Sequence, residues 1–189
     1  MKRICVFCGS SRGANELYAE EARQLGKEMA ARGITVVYGA GNVGLMNELA
    51  DAALENHGQV IGVIPKALVD MEVVHSGLTD LKVVETMHQR KALMAELSDA
   101  FIALPGGIGT MEEILEALTW TQLGIHQKPC ALLNTNGYYE HLLKFLERAV
   151  NDRFLMKEHS ANLIIARTPQ EALDRLRECK VESIKKWIA

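Results

Sequence analysis

Seven short apolar runs recur along this chain, at 3–8, 34–38, 60–64, 81–84, 100–104, 129–133 and 163–166. Most are continuously hydrophobic instead of alternating, the pattern of strands covered on both faces, which is how parallel strands are buried. Between them lie longer stretches with helical spacing at roughly 15–31, 44–56, 88–97, 110–123, 138–150 and 169–179. In the first, Leu17, Ala22, Leu25, Met29 and Ala30 share one face, Asn15 is placed to cap the start, and Gly33 to end it. Strand and helix in alternation predict an α/β fold: a Rossmann-like, doubly wound parallel sheet with helices on both faces, in a single domain. That domain is expected over residues 1–180. Residues 181–189, with Lys185, Lys186 and Trp187, form a tail that either frays or docks on a neighbour.

Composition narrows the function classes. A chain of 189 residues with 48% hydrophobic and 24% charged residues is globular, and its net charge of −3 gives no basic footprint for nucleic acid. The apolar runs are too short to span a membrane, and Met1-Lys2-Arg3 leads straight into a strand pattern instead of a signal sequence, so a cytoplasmic protein is expected. Cys5 and Cys8 have a C-x-x-C spacing, but they lie in a strand run where an offset of three points them to opposite faces. No second pair follows to complete a zinc site, so buried packing is expected and no metal.

Two glycine-rich loops carry the chemistry. Gly39-Ala40-Gly41-Asn42-Val43-Gly44 follows a strand run and opens a helix, matching G-x-G-x-x-G. Such a loop either brings amide N–H groups to a phosphate or is simply a tight turn. A dinucleotide is disfavoured: the loop follows the second strand, and the run at 60–64 ends in Pro65-Lys66 where an acidic residue would meet the ribose hydroxyls. The second loop, Pro105-Gly106-Gly107-Ile108-Gly109-Thr110-Met111-Glu112-Glu113, also opens a helix and reads as an anion cradle. Thr110 and Glu113 have capping-box spacing, which competes with a catalytic role for the carboxylate. His88-Gln89-Arg90-Lys91 opens the preceding helix, from which Arg90 and Lys91 could reach the rim of the second loop.

Together these residues resemble the Lonely Guy (LOG) family of cytokinin-activating phosphoribohydrolases. The resemblance runs from Cys5-Val6-Phe7-Cys8-Gly9-Ser10-Ser11 through Gly44-Leu45-Met46, Val63-Ile64-Pro65-Lys66 and Met87-His88-Gln89-Arg90-Lys91. It continues through the signature Pro105-Gly106-Gly107-x-Gly109-Thr110-x-x-Glu113 to Thr119-Trp120 and Gly137-Tyr138-Tyr139. It implies hydrolysis of the N-glycosidic bond of N6-modified adenosine 5′-monophosphates, leaving open whether AMP itself is used, with free base and ribose 5-phosphate as products. It implies Arg90 and Glu113 as the catalytic pair. Substrate contacts are implied at Glu72, Arg90, Lys91, Gly106, Gly107, Ile108, Gly109, Thr110 and Glu113, with Gly39, Gly41, Gly44 and Ser10 around them. No cofactor is implied, and the partners are a nucleoside 5′-monophosphate and a second copy of the chain, with neither nucleic acid nor membrane.

Two departures from the family's pattern stand out: Ala40 and Asn47 occupy positions where it has glycine. A negative φ would accommodate Ala40, while Asn47 would narrow or repolarise the pocket. Glu113 is expected to be ionised, held so by a first-turn position and by Arg90, and suited to stabilising a sugar cation. The other reading from the same fold is a non-catalytic nucleotide or cofactor carrier resembling molybdenum-cofactor carriers; a carrier needs the cradle but not the Arg90–Glu113 pair. Lysine decarboxylation, a label the family has carried, would need pyridoxal phosphate on a suitable lysine, and none stands out.

Overall fold

A computed structural model describes residues 1–69 and 74–181. All seven expected strands form: β1 (Arg3–Phe7), β2 (Thr35–Tyr38), β3 (Val60–Pro65), β4 (Asp80–Val84), β5 (Ala100–Ala103), β6 (Cys130–Leu133) and β7 (Leu163–Ala166). They make one sheet in the order β4-β3-β2-β1-β5-β6-β7, every neighbouring pair parallel. The six expected helices appear as α1 (Glu16–Ala31), α2 (Gly44–Glu55), α4 (Met87–Leu97), α5 (Ile108–Gln122), α6 (Glu140–Asn151) and α8 (Pro169–Glu178). Two short ones, α3 (Lys66–Val69) and α7 (Lys157–Ala161), were not foreseen. The expected tail falls outside the described residues from 182 onward.

Parallel strands need crossovers, and these place a helical layer on each face. On β1, Ile4 and Val6 join a cluster with Leu25 and Met29 of α1, Leu49 of α2 and Leu173 of α8. Cys5 and Phe7 face the other way, among Met94 of α4 and Ile114 and Ala117 of α5. Truncating a fully buried member such as Leu25 to alanine would cost about 2–5 kcal/mol. Cys8 packs toward the first cluster, so the two thiols do point to opposite faces, and both are free. Among the described residues no group of three or more potential ligands could hold a metal, and no helix is long and apolar enough to cross a membrane.

Helix ends follow local chemistry. Asn15 Oδ1 accepts from Leu17 N at 3.0 Å, and Gly33, at φ +66°, turns the chain out of α1. Thr86 caps α4 and Thr168 caps α8, each accepting from the backbone three residues on, while the Gln89 and Glu171 side chains accept from the backbone N–H one residue before each cap, Glu85 N and Arg167 N.

Candidate active site

The strand order reverses between β1 and β5, so their carboxyl ends part and leave a crevice, the usual ligand position in a doubly wound sheet. The segment after β1 is tied to the second loop by Gly9 N to Pro105 O at 3.1 Å, and to α2 by Leu45 N to Gly9 O at 3.0 Å. A cavity of about 310 Å³ opens there, with Ser10 and Met46 on one wall, Met87 and Arg90 on another, and the 107–110 loop with Glu113 closing it. A neighbouring hollow of about 290 Å³ shares Gly9, Ser10 and Gly107 and includes Gly106.

Arg90, on the first turn of α4, is buried to 8% exposure. Its Nη2 donates to the Gly39 carbonyl at 3.2 Å and its Nη1 meets Met87 Sδ at 3.8 Å, while Nε finds no partner among the described residues. A buried charged donor without an acceptor is costly, and Arg90 is also one of the residues lining the adjoining cavity, where the exposed part of its guanidinium could meet a ligand oxygen.

Glu113 is not a cap. Helix α5 begins at Ile108 with Gly107 at the N-cap position, so Glu113 is the sixth helical residue and Thr110, 4% exposed, lies inside the first turn. The first-turn position expected from sequence is thereby corrected. Its protonation is corrected too. Burial pushes the Glu113 carboxyl up to about 7; Arg90 and Lys91 pull it down and Glu112 and Glu116 push it up, but desolvation outweighs them. Phe7, Phe101, Ala117 and Trp120 line the tight crevice behind Glu113 and exclude water from it.

Lys91 turns away from the main cavity. Its ammonium pairs with Glu112 and, at 3.0 Å, with Glu116, both on α5. These two pairs occupy two of its three N–H donors and hold it against α5.

The two glycine loops differ in what their missing side chains allow. A Cβ on Gly39 would lie 1.8 Å from Arg90 Nη2; one on Gly41 would meet Met46 Cε at 2.6 Å; one on Gly44 would strike the Ser10–Ser11 backbone at about 2.3–2.5 Å. These glycines therefore do not line the cavity; they give room to the residues that do. Gly106 is tight against Thr110 and Gly9 N, whereas a Cβ on Gly107 or Gly109 would meet nothing within 4 Å. Ile108 between them is 90% exposed. Ser10, Gly107, Ile108, Gly109, Thr110, Arg90 and Glu113 thus meet at one cavity, with Gly106 next to it. Glu72 lies outside the described residues.

Ala40 takes φ +66°, against the negative value that would have accommodated it without strain. Asn47 does not reach the cavity, because its amide donates to Asp51 Oδ2 at 2.6 Å; the narrowing expected from it is absent among the described residues. Sequence reasoning assigned no role to Tyr138 and Tyr139, yet their hydroxyls donate to the carbonyls of Gly106 and Leu104, each at 2.6 Å, and hold the second loop in place. Met46 and Met87, which supply apolar wall, also went unassigned.

The sequence model of a family described as "Possible lysine decarboxylase" matches residues 46–176. Among the described residues no lysine lines the cavity of about 310 Å³, and Lys91 in the crevice behind Glu113 is held in ion pairs with Glu112 and Glu116, so these residues do not fit a pyridoxal phosphate Schiff base. Over 191 residues the chain is 48% identical to the cytokinin riboside 5′-monophosphate phosphoribohydrolase LOG1 of Arabidopsis thaliana, covering 98% of this chain and 90% of the relative. It is 49% identical, again over 191 residues, to the probable cytokinin riboside 5′-monophosphate phosphoribohydrolase LOGL2 of Oryza sativa subsp. japonica, covering 98% and 78%. Among solved structures, the molybdenum cofactor carrier protein of Chlamydomonas reinhardtii superposes with a TM-score of 0.72 at 22% identity, covering 94% of this chain and 96% of that one. That likeness concerns the fold.

Proposed function

The chain belongs to the Lonely Guy (LOG) family of cytokinin riboside 5′-monophosphate phosphoribohydrolases, and from that premise we propose that it hydrolyses N6-modified adenosine 5′-monophosphates with Glu113 and Arg90. One observation carries the assignment of roles: a carboxyl held near pKa 7 by burial and a buried guanidinium line the same cavity, which the 107–110 loop closes.

Cleavage breaks the bond between C1′ and the purine nitrogen and forms one between C1′ and a water oxygen. The leaving base gains a proton and the water loses one. A carboxyl titrating near 7 is about half protonated at neutral pH, so Glu113 can give its proton to the departing base and take one back from the attacking water. Once ionised, it also faces the positive charge that builds at C1′. The exposed Gly107 and Gly109 leave space for a 5′-phosphate at the start of α5, and the Arg90 guanidinium in the cavity wall offers a further donor to the nucleotide. Met46 and Met87 offer an apolar surface for the base. Lys91 acts through its ion pairs on α5, steadying the helix that carries Glu113.

We assign the chain to a homodimer in the cytoplasm. Met87 and Ile108, 43% and 90% exposed at the mouth of the cavity, support a covering second copy, and four free cysteines suit a reducing compartment. The carrier reading is the weaker one, because a carrier has no use for a carboxyl poised to exchange protons.

The test is incubation with N6-isopentenyladenosine 5′-monophosphate, AMP and N6-isopentenyladenosine, with chromatography of base and ribose 5-phosphate. The monophosphate should be cleaved with kcat/KM on the order of 10²–10⁴ above the riboside, since hydrogen bonds to a charged phosphate contribute about 1.5–3 kcal/mol each. Glu113→Gln should lower turnover by about 10²-fold. No base release, or full activity in that variant, would reject the assignment.

A further inference from the structure

Outside the cavity, Asn47, Asp51 and His75 form a bonded cluster that the reaction does not use directly. Asp51, on α2, accepts from Asn47 Nδ2 at 2.6 Å and binds His75 Nε2 at 2.8 Å. Gly77 N donates to His75 Nδ1 at 3.1 Å, which fixes the tautomer: Nδ1 is the acceptor, so Nε2 carries the hydrogen given to Asp51. The ring is 8% exposed and so held on both nitrogens.

The backbone of this segment grips the first glycine loop. His75 N donates to the Ala40 carbonyl at 3.0 Å, and Val74 pairs with Gly41 in an isolated antiparallel bridge. Ala40 is held at φ +66°, a conformation that costs an alanine about 1–2 kcal/mol and that it would leave if released. The carbonyl one residue earlier, Gly39 O, accepts from Nη2 of the buried Arg90 guanidinium. We infer that His75 and Asp51 are positioning residues for Arg90: they clamp segment 39–41 and thereby fix the carbonyl that aims the guanidinium into the cavity. This rests on the reading of Arg90 as part of the active site.

His75→Gln and His75→Asn separate the two ends of the ring. Glutamine places an amide where Nε2 was and keeps the bond to Asp51; asparagine places its oxygen near Nδ1, keeps the bond to Gly77 N and loses Asp51. With N6-isopentenyladenosine 5′-monophosphate, His75→Asn should lower kcat/KM about tenfold, the scale of one lost positioning contact, and His75→Gln no more than about threefold. Adding His75→Asn to Arg90→Lys should cost nothing further, because the guanidinium it positions is gone. The Arg90 Nε–H resonance, assigned by its loss in Arg90→Lys, should shift and exchange faster in His75→Asn but not in His75→Gln. An unmoved resonance in His75→Asn, or a tenfold loss that persists in the Arg90→Lys background, would overturn the clamp. Should Arg90→Lys keep full turnover, the reading of Arg90 fails, and the resonance still decides whether the clamp exists. If His75→Asn does not fold, Asp51→Ala leaves the histidine in place and carries the same comparison.

Discussion

Both glycine-rich loops follow a buried strand at the same end of the sheet and lead into a helix, yet their glycines answer to different neighbours. In the loop after β2, added methyl groups would strike Arg90, Met46 and the backbone after β1, all parts of the protein. In the loop after β5, Gly107 and Gly109 face open space, and only Gly106 is confined by the fold. The first loop shapes the wall of the cavity from behind, and the second leaves part of the wall bare for a ligand. A glycine motif therefore carries two separable meanings, and substitution should pull them apart.

Gly39→Ala should have the largest effect. Its methyl group would overlap the Arg90 guanidinium at 1.8 Å, so the arginine must abandon the Gly39 carbonyl. Turnover should fall by about 10²–10³-fold, the range seen on losing one preorganised electrostatic group. The melting temperature should also drop, since overpacking costs about 1–3 kcal/mol. Near-normal turnover would show that Arg90 does not need this geometry.

Next comes Glu113, on the helix that the second loop opens. Between pH 4.5 and about 7 the folded chain retains a proton there that the unfolded chain has released. Stability is thus fully present below 4.5 and is lost as pH rises through the folded value near 7. The shift corresponds to roughly 3 kcal/mol. Glu113→Gln should therefore be more stable than the parent at pH 8 and equal to it near pH 4, measured by urea unfolding at both. A capping carboxylate would give the opposite sign at pH 8.

These contrasts also mark what sequence could reach. The sheet was legible because the strands are continuous apolar runs, and the cradle because glycines cluster where a strand gives way to a helix. The short α3 and α7, four and five residues long, are too brief to show a period. The Thr110-x-x-Glu113 spacing misled because the same pattern does cap α4 and α8, through Thr86 with Gln89 and Thr168 with Glu171. Only the start of α5 at Ile108, set by Gly107, removes Thr110 from the cap. The ion pairs of Lys91, expected at the rim of the second loop, were not legible because Glu112 and Glu116 are distant in sequence and meet it only when α4 and α5 pack side by side. The protonation of Glu113 was misjudged for a similar reason: Phe7, Phe101 and Trp120, which dry its surroundings, come from three separate elements.

In the second loop, Gly109→Ala should part stability from activity. The position is helical and open, so alanine should stabilise α5 by about 0.5–1 kcal/mol. The same methyl would enter the space assigned to the phosphate, and kcat/KM for the monophosphate should fall about tenfold while the melting temperature holds or rises. Equal losses in both would mean that the glycine serves the fold, as in the first loop.

The smallest effect belongs to Ala40→Gly, which restores the three-glycine form of the first loop. Release from φ +66° gains about 1–2 kcal/mol. Against it stand the loss of a fully buried methyl group, about 0.8 kcal/mol, and the greater freedom of glycine in the unfolded chain, about 0.4–1 kcal/mol. These nearly cancel, so stability should move by less than about 1 kcal/mol in thermal unfolding. The Ala40 methyl packs toward Gly62 and does not line the cavity, so the ratio of kcat/KM between N6-isopentenyladenosine 5′-monophosphate and AMP should stay within about threefold of the parent's, below 1 kcal/mol of discrimination. A larger change in that ratio would mean that the backbone at Ala40 sets substrate preference through Gly39 and Arg90, and that the first loop takes part in recognition as well as support.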